Sequence, residues 1–356
     1  RLRDEIQAAV QQVLDSGRYL MGPNVEALEE AMARELGTRH AVACASGTDA
    51  LHLALLALDI GPGDEVITSP FPFAATAEAI CYTGATPVFV DIEADTFNID
   101  PERIREAVTP ATRAVIPVHI FGQPAQMEAV NAIAREQGLE VIEDCAQAQG
   151  ATRGGQQTGA MSTLGCFSFF PTKNLGCYGD GGLVSTNSDA LAASLRALRN
   201  HGNQAEGNHR ILGYNSRLDE IQASILRVKL PHMPTALRQR RAVAERYQQA
   251  LAQMPGLTAP HQDPGGEHSF NQYTILSEQR DALRAHLHEQ GITSVIYYTQ
   301  PLTRYPVFST ARAGSQLTTT EWVCERCLSL PIWPGMEPEE TQTVIDALSE
   351  ATDTRP

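Results

Sequence analysis

Positive charge is what this sequence has least of. Its 27 lysines and arginines stand against 42 aspartates and glutamates, a formal net charge of −15. That balance argues against a surface for nucleic acid or for an anionic membrane. It leaves room for a phosphorylated small ligand, which needs only a local group of donors. Long apolar runs are missing as well, and nothing approaches the roughly 18 consecutive apolar residues of a membrane-spanning helix. The opening RLRDEIQAAVQQVL is charged and helical in pattern, unlike a secretory leader. A second cysteine pair beside Cys324 and Cys327 is also lacking. The seven cysteines (44, 81, 145, 166, 177, 324 and 327) are odd in number and scattered. Such usage suggests reduced thiols and a cytoplasmic protein. Cys324 and Cys327 have a metal or redox spacing. No second pair or nearby histidine completes a zinc site, so a helix with a buried thiol is expected there and no metal. There is no G-x-G-x-x-G after the first predicted strand and no Walker lysine. The usual signatures of dinucleotide binding and phosphoryl transfer are therefore absent.

What is present is a chain of 356 residues, 42% of them apolar, enough for two domains or one large one. Short strand-like runs alternate with helical patterns through the first two-thirds. Strands are expected at 65–69, 86–90, 114–119, 140–144, 166–170 and 182–186, with helices at 49–58, from about 76, near 127–137 and at 189–201. That alternation predicts an α/β fold with a mostly parallel sheet covered on both faces. A longer helix is expected from Ser216 to about Val228. After Pro231 the pattern changes to a long charged helix at 236–251, a loop rich in Pro, Gly and Asp, then strand 269–276, helix 280–290, strand 294–298 and a last helix near 337–350. The expected division is a large domain at 1–235, whose N-terminal helix packs on the second unit, and a smaller α+β domain at 236–356.

Several residues have chemistry in their setting. Ser46-Gly47-Thr48-Asp49 lies between a predicted strand and a helix, where free backbone amides form an anion cup. Thr48 adds a hydroxyl donor; taken alone, a plain helix cap explains the segment better than an anion site does. Asp144 closes an apolar strand, at the sheet edge where open α/β folds bind ligands, and a desolvated acid there needs a cationic partner. Gln147 follows three residues later. Lys173 sits in FSFFPTKNLGCYGDGG and is the only lysine before Lys229. An ammonium among apolar groups loses proton affinity and becomes a nucleophilic amine. Read in order, the chain offers a phosphate cup, an aromatic at Phe73, an acid at a strand end and a lysine before a Gly-rich turn. Those are the demands of pyridoxal phosphate.

The segments SGTDALHLAL, SPFPFAATAEAI, EDCAQAQGA, FSFFPTKNLGCYGDGG and GYNSRLDEIQASIL resemble the motif series of the DegT/DnrJ/EryC1/StrS sugar aminotransferases. The resemblance runs from GRYLMGP at Gly17 to LSLPIWPGM at Leu328. It implies the PLP-dependent transferase fold of type I, a seven-stranded type of sheet and a homodimer with shared active sites. It implies that Lys173 is the Schiff-base lysine and proton carrier, and that Asp144 keeps the pyridinium protonated. Gln147 then lies near the ring hydroxyl and Phe73 stacks on the ring. Gly47, Thr48 and Ser168 bind phosphate, and Asn215 reaches it from the neighbouring subunit. Arg217 and Tyr298 match positions near a sugar nucleotide.

A dehydratase branch of the family carries His where Lys173 stands, so transamination is implied. The segment KNLGCYGDGG resembles enzymes that aminate C3 of a UDP-linked 2-acetamido-3-keto sugar or its uronic acid, with glutamate or glutamine as donor; C4 and aminocyclitol aminotransferases are the alternative. The chain departs from the family pattern at Tyr297-Tyr298-Thr299 and Pro301-Leu302-Thr303, where His-Tyr-Pro and Pro-Leu-His are common. Trp333 stands where a histidine is usual. These departures bear on the sugar pocket, not on the cofactor.

Overall fold

The structure is a computed structural model that describes residues 2–203 and 207–353. The chain opens with helices α1 (Arg3–Ser16) and α2 (Pro23–Leu36). A sheet of seven strands in chain order follows: β1 (His40–Cys44), β2 (Glu65–Thr68), β3 (Thr86–Phe89), β4 (Thr112–Ile116), β5 (Glu140–Asp144), β6 (Leu164–Ser168) and β7 (Gly182–Thr186). Helices α3 (Gly47–Ala57), α4 (Ala75–Tyr82), α5 (Pro101–Ala107), α6 (Met127–Gln137) and α7 (Asp189–Leu198) lie between or after these strands. The spatial order is β1-β7-β6-β5-β4-β2-β3. Neighbours are parallel except β7, which runs antiparallel to both β1 and β6.

The sheet is buried on both faces, which explains why its strands read as apolar runs rather than alternating ones. Val42, Ile142, Leu164 and Val184 pack on one side with Leu51, Leu55 and Leu195 of α3 and α7. On the other side Ala43, Phe167 and Leu183 meet Leu28 and Met32 of α2. Ala223 and Leu226, from helix α8 (Glu220–Lys229), close that layer. Helix α1 lies along α8, so its main partner belongs to this first unit.

The remaining chain builds a second core. Helix α9 (Met233–Leu251) leads to strands β8 (Leu257–Thr258) and β9 (Tyr273–Ser277) and helix α10 (Arg280–Glu289). A two-residue strand, β10 (Arg312–Ala313), returns to the large sheet and pairs in parallel with β3 as its eighth strand. Helix α11 (Thr318–Arg326), strand β11 (Cys327–Leu330) and helix α12 (Pro338–Asp353) complete the fold. Val243, Tyr247, Ile275, Leu287, Leu328 and Leu348 form the core of this unit.

Two expected elements differ. The helix expected from Ser216 starts at Glu220, with Asp219 as its cap, because Asn215 pairs with Asn200 and the Ser216 amide donates to the Arg199 carbonyl. The strand expected at 294–298 is reduced to one bridge, Val295 to Ser329. Among the described residues no helix is long and apolar enough to cross a membrane.

Candidate active site

The strand directions bring one edge of the large sheet together. Cys44 and Ser168 both face Gly182 in register, and Asp144 faces Cys166. The carboxyl ends of β1, β5 and β6 therefore converge, as ligand sites of open α/β sheets require. Directly after β1, Ser46 caps α3, its hydroxyl accepting from the Asp49 amide at 3.0 Å. Gly47 opens that helix. A Cβ on Gly47 would lie 2.6 Å from the Ser168 Cβ, so this cup tolerates no side chain. Gly182 has the same constraint, since a Cβ there would sit 2.1 Å from the Ser46 carbonyl oxygen. The segment thus has helix-cap chemistry at a helix start, the setting of an anion cup, and Gly47 lies directly against Ser168.

Asp144 is buried, with 4% of its surface exposed. Its Oδ1 accepts from the Ala146 amide at 3.0 Å and its Oδ2 from the Thr76 hydroxyl at 2.8 Å. Both donors are neutral, and among the described residues no cation forms an ion pair with it. Lys173 lies on the loop after β6. Burial lowers its proton affinity, and the Asp144 charge opposes that shift without cancelling it. The pair is close enough to interact while leaving the amine available as a base.

Gln147 is held at both ends. Its Oε1 accepts from the Phe121 amide at 2.7 Å, and its Nε2 donates to the Tyr298 hydroxyl at 3.2 Å. Tyr298 also packs edge-on against Phe71. The resemblance put Tyr298 near a sugar nucleotide; the structure brings its hydroxyl to Gln147. Phe73 is 64% exposed at the entrance, one residue before the start of the turn that leads into α4. Asn215 and Arg217 form a separate pair at the surface, the guanidinium donating to the Asn215 Oδ1 at 2.7 Å. Their segment is tied to the cup, because the Ser216 hydroxyl donates to Asp49 at 2.6 Å.

Sequence reading missed Thr76, His119 and Glu143. His119 and Glu143 are fully buried and 2.9 Å apart, and Glu143 also accepts from the amides of Gly159 and Met161 and the hydroxyl of Ser162. The His119 Nδ1 accepts from the Ala125 amide, so the ring donates through Nε2. His119, Glu143 and Cys145 lie close enough to suggest a metal site. Their polar atoms already have protein partners, and burial holds the Cys145 thiol well above its usual value. Cys324 and Cys327 are buried free thiols.

An anion cup that a Cβ would fill, a buried acid lacking a cation and a lysine that has lost proton affinity fit pyridoxal phosphate. Fold and site together define a pyridoxal-phosphate transferase. The family model for DegT/DnrJ/EryC1/StrS aminotransferases matches residues 1–349, and the chain belongs to that family. It is similar to a pleiotropic regulatory protein of Geobacillus stearothermophilus, 47% identical and covering 98% of this chain and 95% of the relative. It is also similar to a UDP-N-acetyl-3-dehydro-alpha-D-glucosamine 3-aminotransferase of Acidithiobacillus ferrooxidans, 48% identical and covering 95% of this chain and 91% of the relative. Among solved structures it resembles DesV of S. venezuelae in complex with a ketimine intermediate, with a TM-score of 0.97, 43% identity and coverage of 100% and 96% of the two chains.

Proposed function

We propose that this enzyme transfers an amino group from glutamate to C3 of a UDP-linked 2-acetamido-3-keto sugar or its uronic acid. The observation that carries the chemistry is the buried Asp144 with only neutral donors, set within electrostatic reach of Lys173. The sugar follows from the KNLGCYGDGG segment and from the 48% identical relative that aminates a UDP 3-keto sugar. We further propose the division into 1–235 and 236–356, supported by the separate core of residues 243–348.

Pyridoxal phosphate, when bound, supplies an electron sink that delocalises the charge left on a substrate carbon after proton loss. Lys173 is the covalent anchor. Once an amino donor had displaced it, its Nζ would carry the proton to and from that carbon, and burial lowers the proton affinity of that amine. Asp144 holds the proton on the ring nitrogen through its carboxylate. Gly47, Thr48 and Ser168 grip the phosphate in the cup. Gln147, its oxygen fixed by the Phe121 amide and its Nε2 bonded to the Tyr298 hydroxyl, would lie near the ring hydroxyl. Phe73 covers one ring face. Amino donor and keto sugar use this site in turn, which predicts ping-pong kinetics.

The site also calls for a second copy of the chain. Ile211, Leu212 and Tyr214 are exposed beside the Ser216–Asp49 tie, Leu212 by 94%. A homodimer would cover them and bring Asn215 and Arg217 of one subunit to the other's cup, with Arg217 and Tyr298 toward the sugar nucleotide.

A regulatory reading is supported by the names of two relatives, 47% and 41% identical, one called a pleiotropic regulatory protein and the other a sensory transduction protein. It needs neither the lysine nor the acid, and both are in place. Lys173→Ala should abolish turnover and the visible absorbance of the loaded enzyme; turnover in that variant would sink the mechanism. A panel of UDP and dTDP sugars ketonised at C3 or C4 tests the substrate. Amination of only the C4 ketones would replace the C3 assignment.

A further inference from the structure

We infer that Thr76 is a positioning residue for Asp144, and that its hydroxyl sets how strongly this acid holds the proton on the cofactor's ring nitrogen. The inference rests on the reading of Asp144 above and deepens it. Thr76 lies in the first turn of α4 with 1% of its surface exposed. Its Oγ1 is 2.8 Å from the Asp144 Oδ2 across 68 residues of sequence. A hydroxyl has one proton and an ionised carboxylate only accepts, so Thr76 donates.

The geometry gives this bond leverage. The Ala146 amide takes Oδ1 and Thr76 takes Oδ2, so the two donors fix the plane of the carboxylate. Ala146 is backbone at a strand end, where mutation leaves it in place. Thr76 is therefore the only side chain that orients Asp144 by a hydrogen bond among the described residues. Its own amide donates to the Phe73 carbonyl at 3.3 Å. One turn of chain thus carries both the aromatic that covers the ring and the hydroxyl that aims the acid at the ring's nitrogen. The segment PFAATAEAI accordingly has a second function, and a threonine there does what alanine or valine cannot.

Removing the hydroxyl leaves a buried carboxylate with one donor fewer and free to turn. The acid then shares the ring proton less well. With less positive charge on the ring, the bound cofactor would change colour at a higher pH.

The test compares Thr76→Val, Thr76→Ser and Asp144→Asn with the parent enzyme, all as loaded enzyme. The pH at which the bound cofactor changes colour is read by absorbance, alongside kcat, KM and the affinity of the apoprotein for pyridoxal phosphate. Thr76→Val should move the colour change to higher pH and lower kcat roughly 10- to 100-fold, the range for residues that orient a site through another residue. KM should stay within about threefold, and Thr76→Ser should behave as the parent does. An unshifted colour change in Thr76→Val, or a serine variant as impaired as the valine one, overturns the inference. Should Thr76→Val fail to bind cofactor, Thr76→Ala against Thr76→Ser gives the same comparison, and equal behaviour of those two overturns it. Asp144→Asn separates the two readings. A shift in Asp144→Asn without one in Thr76→Val sinks only the role of Thr76, whereas no shift in Asp144→Asn sinks the role of the acid itself.

Discussion

At the residue scale, Lys173 and His268 show one physical effect with two uses. Both are bases removed from water, and burial lowers the proton affinity of both. For Lys173 the result is an amine ready for chemistry. For His268 it is a stability cost below neutral pH. Burial first and the nearby Arg241 charge second push His268 down to about 3. Its ring stacks on Phe270 with centroids 4.0 Å apart, and its Nδ1 accepts from the Phe270 amide, a bond that requires an unprotonated nitrogen. The unfolded chain takes up this proton near pH 6.5, well before the folded one does. The stabilisation is complete above about pH 6.5 and falls by ~1.4 kcal/mol per unit as the pH drops toward the folded value. Between pH 7 and pH 5 the loss should be about 2 kcal/mol. Urea unfolding at the two pH values should show this slope in the parent and not in His268→Gln. Lys173 and Asp144 were legible in the sequence because type and setting were both unusual. Thr76 was not, since a threonine in a helix has no mark until the fold brings a carboxylate to it.

At the scale of elements, helix α2 shows why boundaries resist sequence reading. Its cap position is Gly22, and no side chain next to it accepts from the first turn. Glu220 does so instead from the start of α8, accepting from the amides of Gly22, Asn24 and Val25, each at 2.9 Å, and from the Asn24 side chain. A Cβ on Gly22 would lie 2.7 Å from the Glu220 carboxyl carbon, so glycine is needed for close approach. Glu220→Ala strips these buried donors of their partner. It should cost about 3 kcal/mol, the scale for breaking a buried charged hydrogen-bond set, read as a lower urea midpoint with an unchanged m-value. The parallel strands and their covering helices were legible from apolar runs. The late start of α8 was not, because the Arg199 carbonyl, distant in sequence, takes the Ser216 amide; nor was the shortening of the strand at 294–298 to the single bridge between Val295 and Ser329.

At the scale of the whole molecule, the segment between the two cores is a strap. Leu302 and Phe308 pack with Phe89, the Leu302 amide donates to the Pro70 carbonyl, and β10 extends the large sheet. Leu212 is 94% exposed, and the homodimer proposed above would cover it. Leu212→Glu should shift the protein from dimer to monomer in light scattering and lower activity with it; a parent that is monomeric at micromolar concentration would remove the shared-site proposal. By itself, the sequence determined the α/β class and the order of the elements, and it marked the lysine and the acid as candidates. Those depend on local periodicity and on residue types whose burial is costly unless used. Only the tertiary structure decided that Thr76 meets Asp144, that Tyr298 meets Gln147 and that Ser216 returns to the cup. Such contacts join chain segments far apart in sequence, and a hydrogen bond is specified by position in space, not by the pattern of either strand or helix that carries it.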